Sequence, residues 1–437
     1  MGRLRLHPLY SAAALLLATA GAQGAGFGII ENSASGMGVA YASGGAAAED
    51  ASTVWFNPAS MTLLGGQNVV GAINAILPSA DFSNNGSTFA DGSALGGPDA
   101  NSNTPALIPT FYYSGQIDDQ LFVGLSINAP FGLVTEYNDD WVGRYHAVES
   151  DLKTVNINPA IAYRIDEHWS LGAGVSVQLL DITLTSAVDF GALLGTPGSA
   201  DGFADLTGDN YNDLAFGWNV GVLYNVDAHT RIALAYRSAV DQHVEGKADF
   251  RVPAAAAPVV STGAFTDTTL SADVTLPASA SLSLFHNFGP LDLMADLTWT
   301  QWSSFQELRI KYDNPAQPDS VTTEDYHDQI RIALGERIHV SEKFLLRTGI
   351  AYDQKAVKNR YRRTPRIPDN DRFWLSIGAG YALNGMLSID AAYSHLFVAS
   401  TKIENTFESN IPELNHTLKG TYDSSVDILS VQLSMKF

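Results

Sequence analysis

Hydrophobic and polar residues alternate along most of this chain. In "VDILSVQLSMKF" (426–437), Leu429, Val431, Leu433, Met435 and Phe437 share one parity. Ile428, Ser430, Gln432, Ser434 and Lys436 share the other. A strand sends successive side chains to opposite faces, so the segment predicts a strand with one apolar and one mostly polar face. The pattern recurs. Phe373, Leu375, Ile377, Ala379 and Tyr381 alternate with Trp374, Ser376, Gly378, Gly380 and Ala382. Ile330, Ile332, Leu334 and Ile338 alternate with Arg331, Ala333, Gly335 and Arg337. Leu171, Ala173, Val175, Val177 and Leu179 alternate with Ser170, Gly172, Gly174, Ser176 and Gln178.

A soluble sandwich alternates too. Two features favour a barrel in a membrane. The second parity is often Gly, Ser, Gln or Arg, which suits a polar or wet lumen. The connections also alternate in length. Tight turns stand at 116–120, 165–169, 225–230, 287–292, 340–344 and 383–386. Long loops centre near 84–106, 131–150, 188–213, 250–269, 312–324, 356–370 and 401–422. About fourteen strands result, an even number as in single-chain bacterial barrels. The expected fold is all-β, a transmembrane antiparallel β-barrel of about 14 strands over residues 67–437. The closing Phe437 is the usual final residue of such proteins, where it helps assembly machinery recognise the chain.

Composition narrows the compartment. Arg3 and Arg5 precede a short apolar run at 12–20 and then small residues, which reads as a cleaved signal peptide over 1–24. The run is too short to span a bilayer as a helix. The chain has no cysteine, which removes lipoprotein anchors, disulfides and thiolate metal sites. Its formal charge of −21 disfavours nucleic acid. The 46% hydrophobic and 10% aromatic content disfavours disorder. The histidines show no paired spacing for a metal, and no G-x-S-x-G elbow is present. The acidic loop 201–213 fails the EF-hand spacing and reads as solvated, with Ca²⁺ the alternative. The expectation is a chain that is not an enzyme and needs no cofactor or metal.

Residues 25–59 break the alternation, within a non-barrel segment that runs over 25–66. They are rich in Gly, Ala and Ser, yet carry Phe27, Ile29, Ile30, Met37, Tyr41, Trp55 and Phe56. That is too much apolar surface to leave in water, while larger barrels leave a lumen to fill. A compact plug or hatch is expected, with a flexible periplasmic tail the alternative. Trp55 and Phe56 supply an anchor. Asn57-Pro58-Ala59 forces a chain break where plug becomes wall, since Pro58 lacks a donor and biases Asn57 away from helix.

Here the chain resembles the FadL/TodX-type outer-membrane transporters of hydrophobic compounds. The matching stretches are an "AGF" start, Ser-x-x-Gly-x-Gly-x-Ala-Tyr at 33–41, Asp50-Ala51 and Asn57-Pro58-Ala59. Segment 130–165, "RIALGERI" (331–338), "RTGIAYD" (347–353) and "RIPDNDRFWLS" (366–376) follow in family order. The resemblance implies a fourteen-stranded barrel with an N-terminal hatch in the outer membrane of a Gram-negative bacterium. It implies passive uptake of long-chain fatty acids or, alternatively, of small aromatic hydrocarbons. A structural or adhesive barrel is a third reading that the hatch disfavours. The expected surroundings are outer-membrane lipid and lipopolysaccharide, with the chain a monomer.

The resemblance also implies a route. Capture would use apolar loop surface at 188–194 and at Phe250, Val252, Val259, Val260 and Phe265. The ligand would pass to a lumen pocket and leave sideways at a kink in the third strand. Asn128, Pro130 and Gly132 mark that kink, unless Pro130 simply ends the strand. By parity Arg331 and Arg347 face inward, near Glu336 and Asp353 in sequence. Either could take a carboxylate bidentately or belong to a lumen ion-pair network. Arg372 and Trp374 line the upper lumen on the same argument, or Trp374 joins an interfacial girdle.

Overall fold

The computed structural model describes residues 26–42 and 44–437. The signal segment 1–24 and Ala25 of the expected hatch lie outside the described residues. Fourteen antiparallel strands close into a barrel. β1 (Gln67–Asn84) is followed by β2 (Ala106–Gln116) and by β3, which comes in two pieces (Leu121–Asn128 and Gly132–Glu136). β4 (Glu149–Arg164) and β5 (Trp169–Asp189) are long and continuous. Four strands are each interrupted once: β6 (Asp201–Asp209, Ala215–Asn225), β7 (Thr230–Arg237, Val240–Arg251), β8 (Thr268–Leu276, Ser279–Asn287) and β9 (Leu291–Thr300, Glu307–Tyr312). β10 (Gln329–His339), β11 (Phe344–Asp353), β12 (Arg372–Ala382), β13 (Leu387–Val398) and β14 (Thr417–Lys436) complete the wall.

Closure satisfies the edges that an open sheet would leave bare, which a bilayer does not tolerate. β14 pairs with β1 from Asn68↔Lys436 to Asn84↔Gly420. At the bottom of this seam the Gln67 amide donates to the Phe437 carbonyl at 2.7 Å, and the Phe437 amide donates back at 2.9 Å. The outward parity forms the apolar band: Ile73, Val175, Ile332, Leu334, Ile377 and Val431 are all exposed. In β12 the girdle role expected as an alternative for Trp374 falls to its neighbour. Phe373 is 43% exposed and tilts against Phe397, while Trp374 is 1% exposed and faces inward.

Two sequence expectations change. Parts of the long loops are strand. Asp201–Asp209 continues β6 within 188–213, and Thr401–Thr406 pairs with the upper part of β14. Above the membrane a ladder needs only backbone partners and not an apolar outer face, so apolar alternation is a poor guide there. The inward glycines also do not simply line water. A Cβ at Gly349 would overlap the backbone of Val39 and Ala40. One at Gly172 would overlap Pro58 and Ala59, and one at Gly221 would strike the Asn57 amide. The wall is bare at these points because the N-terminal segment lies directly on it.

That segment holds two short helices, α1 (Ala34–Gly38) and α2 (Thr53–Phe56), and a 3-10 helix at Pro58–Leu63. Ser33 caps α1 by accepting from the Gly36 amide at 3.1 Å. Asn57 ends α2 in an extended conformation, with φ −154 and ψ 106. Its side-chain oxygen accepts from the Ala59 amide at 3.0 Å and so starts the next turn. Its amide nitrogen donates to the carbonyls of Val222 and Leu234, at 3.1 and 3.2 Å. Pro58 takes the first helical position, where no donor is needed. One residue therefore stops a helix, caps another and ties both to β6 and β7.

Candidate functional site: a lumenal cavity beside a break in the wall

The break in β3 comes from its sequence. Leu121–Asn128 pairs with β2 on one side and β4 on the other. At Ala129-Pro130-Phe131 the ladder stops, and Gly132–Glu136 resumes pairing with β4 alone. On the other side of the break, residues 106–110 of β2 pair with β1 only. A notch therefore opens between the upper halves of β2 and β3.

The N-terminal segment occupies the notch from inside. The Ile29 amide donates to the Pro130 carbonyl at 2.8 Å, and the Gly132 amide donates to the Phe27 carbonyl at 2.9 Å. Pro130 thus lacks a donor but serves as an acceptor. Asn32 is the third contact. Its carbonyl accepts from the hydroxyls of Thr110 at 2.9 Å and Tyr112 at 3.1 Å, and its side-chain oxygen accepts from Asn128 at 3.0 Å. Phe27 packs edge-on against Trp302 and Phe305, with centroids 4.8 and 5.3 Å apart.

Behind the notch lies a lumenal cavity. Ile29, Ile30, Trp55, Phe56, Phe131 and Trp374 supply apolar lining, and Arg237, Arg331, Glu31 and Asp353 supply charge of both signs, with Asp353 directly across the β10–β11 ladder from Arg331. Arg331 donates to the Ala40 carbonyl at 2.8 Å through Nη2 and stands 5.2 Å from the Trp374 ring centre. Its Nε and Nη1 are buried without a hydrogen-bond partner. Arg237 stacks on Trp55 at 3.3 Å and donates to the Trp55 carbonyl at 2.7 Å. Neither arginine has a carboxylate within ion-pair distance among the described residues.

Arg347 and Arg372 face inward but lie away from this cavity. Arg347 is ion-paired with Glu49 and, at 2.8 Å, with Asp390. Arg337 continues the network to Glu49 at 2.8 Å and to Asp292 at 2.5 Å. Arg372 pairs with Asp369 at 2.5 Å. Of the two open alternatives for Arg347, the ion-pair network is the one its surroundings supply. Removing Arg347 leaves the buried Asp390 without its ion-pair partner and Glu49 with Arg337 alone, which costs about 3–5 kcal/mol for a broken buried pair. Arg347→Ala is therefore expected to lower the unfolding midpoint and expose residues 26–66 to protease, both readable on purified protein. An unchanged midpoint and protease pattern would remove this role.

Residues 15–437 match the family described as "Outer membrane protein transport protein (OMPP1/FadL/TodX)". The chain belongs to this family. Its members are outer-membrane transport proteins, and this chain is an outer-membrane transport protein, not an enzyme. The long-chain fatty acid transport protein of Salmonella typhi is 34% identical, over 90% of this chain and 92% of its own. Outer membrane protein P1 of Haemophilus influenzae is 31% identical over 98% of each. A FadL homologue of Pseudomonas aeruginosa superposes with a TM-score of 0.87 at 25% identity, covering 94% of this chain and 100% of its own. The toluene transporter TbuX of Ralstonia pickettii shares the fold, with a TM-score of 0.68 at 18% identity.

This FadL-family barrel also carries a second, outer cavity. The two loop segments singled out for apolar content meet there, lined by Val188, Phe250, Phe265, Leu308, Ile310 and Leu414. Phe190 and Phe265 pack edge to face at 5.1 Å. Burial first, and the neighbouring His416 next, push the His146 imidazole of this lining down to about 3, so it adds no charge at neutral pH. Sequence reasoning missed Arg237 and Asn32. Arg237 had a signal, since Arg231, Ala233, Ala235 and Arg237 share the inward parity of β7. Asn32 had none, because both its carbonyl and its side-chain oxygen are brought to β2 and β3 only by the fold.

Proposed function

We propose that the chain carries long-chain fatty acids inward across the outer membrane by a passive, three-stage route. Capture occurs at the outer cavity. The acid then enters the lumenal cavity, with its carboxylate on Arg331 or Arg237 and its chain against Ile29, Ile30 and Phe56. Residues 25–66 act as a hatch, and the acid leaves sideways through the notch between β2 and β3. Each CH₂ moved from water to an apolar wall gains about 0.8 kcal/mol, so staged apolar contact offsets loss of the preceding environment. The single observation that carries the reading is Arg331, whose Nε and Nη1 are buried without a hydrogen-bond partner beside a cavity with one apolar wall, although Glu31 and Asp353 also line it. On this reading outer-membrane lipid and lipopolysaccharide surround a monomer, and Phe437 is the signal read by the assembly machinery.

The test is equilibrium binding of purified protein to oleate and to toluene. Arg331→Ala and Arg237→Ala each remove charge-assisted hydrogen bonds worth about 1.5–3 kcal/mol. At least one variant is expected to bind oleate roughly ten- to hundredfold more weakly. Toluene binding without oleate binding would replace the fatty-acid reading with the hydrocarbon one.

A further inference from the structure

The lumenal cavity has two unlike walls. The hatch side offers Ile29, Ile30, Trp55 and Phe56, with Glu31 as its one charged group. The barrel side offers hydroxyls: Ser279, Ser281, Thr298 and Thr300 all line it. Their arrangement follows from strand register. One row across the wall runs Arg237, Ser279, Thr300, Gln329. The adjacent row runs Ala235, Ser281, Thr298, Arg331. Neighbouring strands lie about 4.8 Å apart, so the arginines bracket a hydroxyl belt roughly 10–15 Å wide.

The belt is not consumed by the protein itself. Thr298 donates to Asp296 at 2.7 Å. Among the described residues, the hydroxyls of Ser279, Ser281 and Thr300 have no protein hydrogen-bond partner. All four residues are half-buried, facing the cavity, while Leu282, Leu284, Leu293 and Leu297 on the opposite parity face lipid. A plain alkyl chain laid across this wall would strip water from the hydroxyls and return nothing. A chain bearing its own hydroxyl would replace that water.

We propose that the lumenal site selects long-chain carboxylic acids that carry a hydroxyl along the chain over their unsubstituted counterparts. This rests on the fatty-acid reading of the same site. The carboxylate takes an arginine at one edge, and the chain hydroxyl takes the serine and threonine belt. A site built to bond a ligand hydroxyl discriminates against the analogue that lacks it, because its own polar groups are then left unpaired.

The experiment compares ricinoleic acid with oleic acid, which lacks the chain hydroxyl, by equilibrium binding to the full-length protein in detergent. Wild type is expected to bind ricinoleate about tenfold more tightly, the scale of one or two net hydrogen bonds. In the double variant Ser279→Ala/Ser281→Ala the preference should fall to within about twofold, while oleate affinity holds or improves. The small substitutions are checked for folding by heat-modifiable gel mobility. A wild type that binds both acids equally overturns the proposal and leaves the fatty-acid reading standing. A preference that survives in the folded variant also overturns it. Failure of both acids to bind wild type overturns the fatty-acid reading and this inference with it.

Discussion

Replacing Gly349 by valine is expected to turn a closed barrel into an ion-conducting pore. Gly349 lies on the inner face of β11, and a Cβ there would overlap the backbone of Val39 and Ala40. Backbone cannot turn aside as a flexible side chain can. Either the wall or the N-terminal segment must shift. The wall is held on both sides by ladders, Gly349 pairing opposite Gly335 of β10 and Ser376 of β12. The N-terminal segment at this point is the turn that follows the five-residue α1. Overpacking costs about 1–3 kcal/mol, and the weaker partner yields. Beneath a displaced α1 lies the lumen of a fourteen-stranded barrel, wide enough for water and ions once emptied. Single-channel recording in planar bilayers reads the outcome, with large steady openings in the variant against a mostly closed wild type. Gly172→Val should act alike from the opposite wall, through Pro58 and Ala59. Wild-type currents from both variants would mean that the close approach of the N-terminal segment to the wall does not hold the barrel shut.

Those glycines show how far the sequence could be read. Alternation located the strands because lipid demands an apolar outer face and the side-chain period is fixed at two. The same alternation put Gly349, Gly172 and Gly221 inside but could not say what they met there. A glycine beside water and one beneath another backbone look identical in a list of residues. The arginines repeat the lesson. Parity placed Arg331 and Arg347 inward together, yet one faces a cavity and the other is claimed by Glu49, a residue about three hundred positions away in sequence. Only the fold decides which buried cation is already paired. Asn57-Pro58 was more legible, because its consequences are local. An acceptor side chain before proline ends one helix and caps the next wherever it stands. The upper strand segments were least legible, since above the membrane the outer face no longer has to be apolar.

Blocking the notch is expected to abolish uptake while leaving binding in place. Gly132 is buried where β3 resumes, and its amide holds the Phe27 carbonyl at 2.9 Å. Phe131 beside it lines the lumenal cavity, so this point is both cavity wall and notch rim. The upper part of β2, residues 106–110, does not pair with β3, and its Thr110 hydroxyl donates to the Asn32 carbonyl of the N-terminal segment. An acid leaving sideways has to displace those contacts, and a bulky side chain at Gly132 narrows the space left. The barrel ladder of β3 with β4 does not depend on that side chain, so the variant should fold. Gly132→Arg tests this with bulk plus a charge that a passing alkyl chain would have to desolvate, and Gly132→Leu with bulk alone. Both are expected to cut uptake of labelled oleate by cells at least tenfold, the effect of about 1.4 kcal/mol on the rate-limiting step. Equilibrium oleate binding by the purified variants should stay within about twofold of wild type, because Arg331 and Arg237 are untouched. Loss of uptake together with loss of binding would point to a damaged pocket instead of a closed exit. Normal uptake by both folded variants would leave the lateral route without support and send the acid past the hatch into the periplasm.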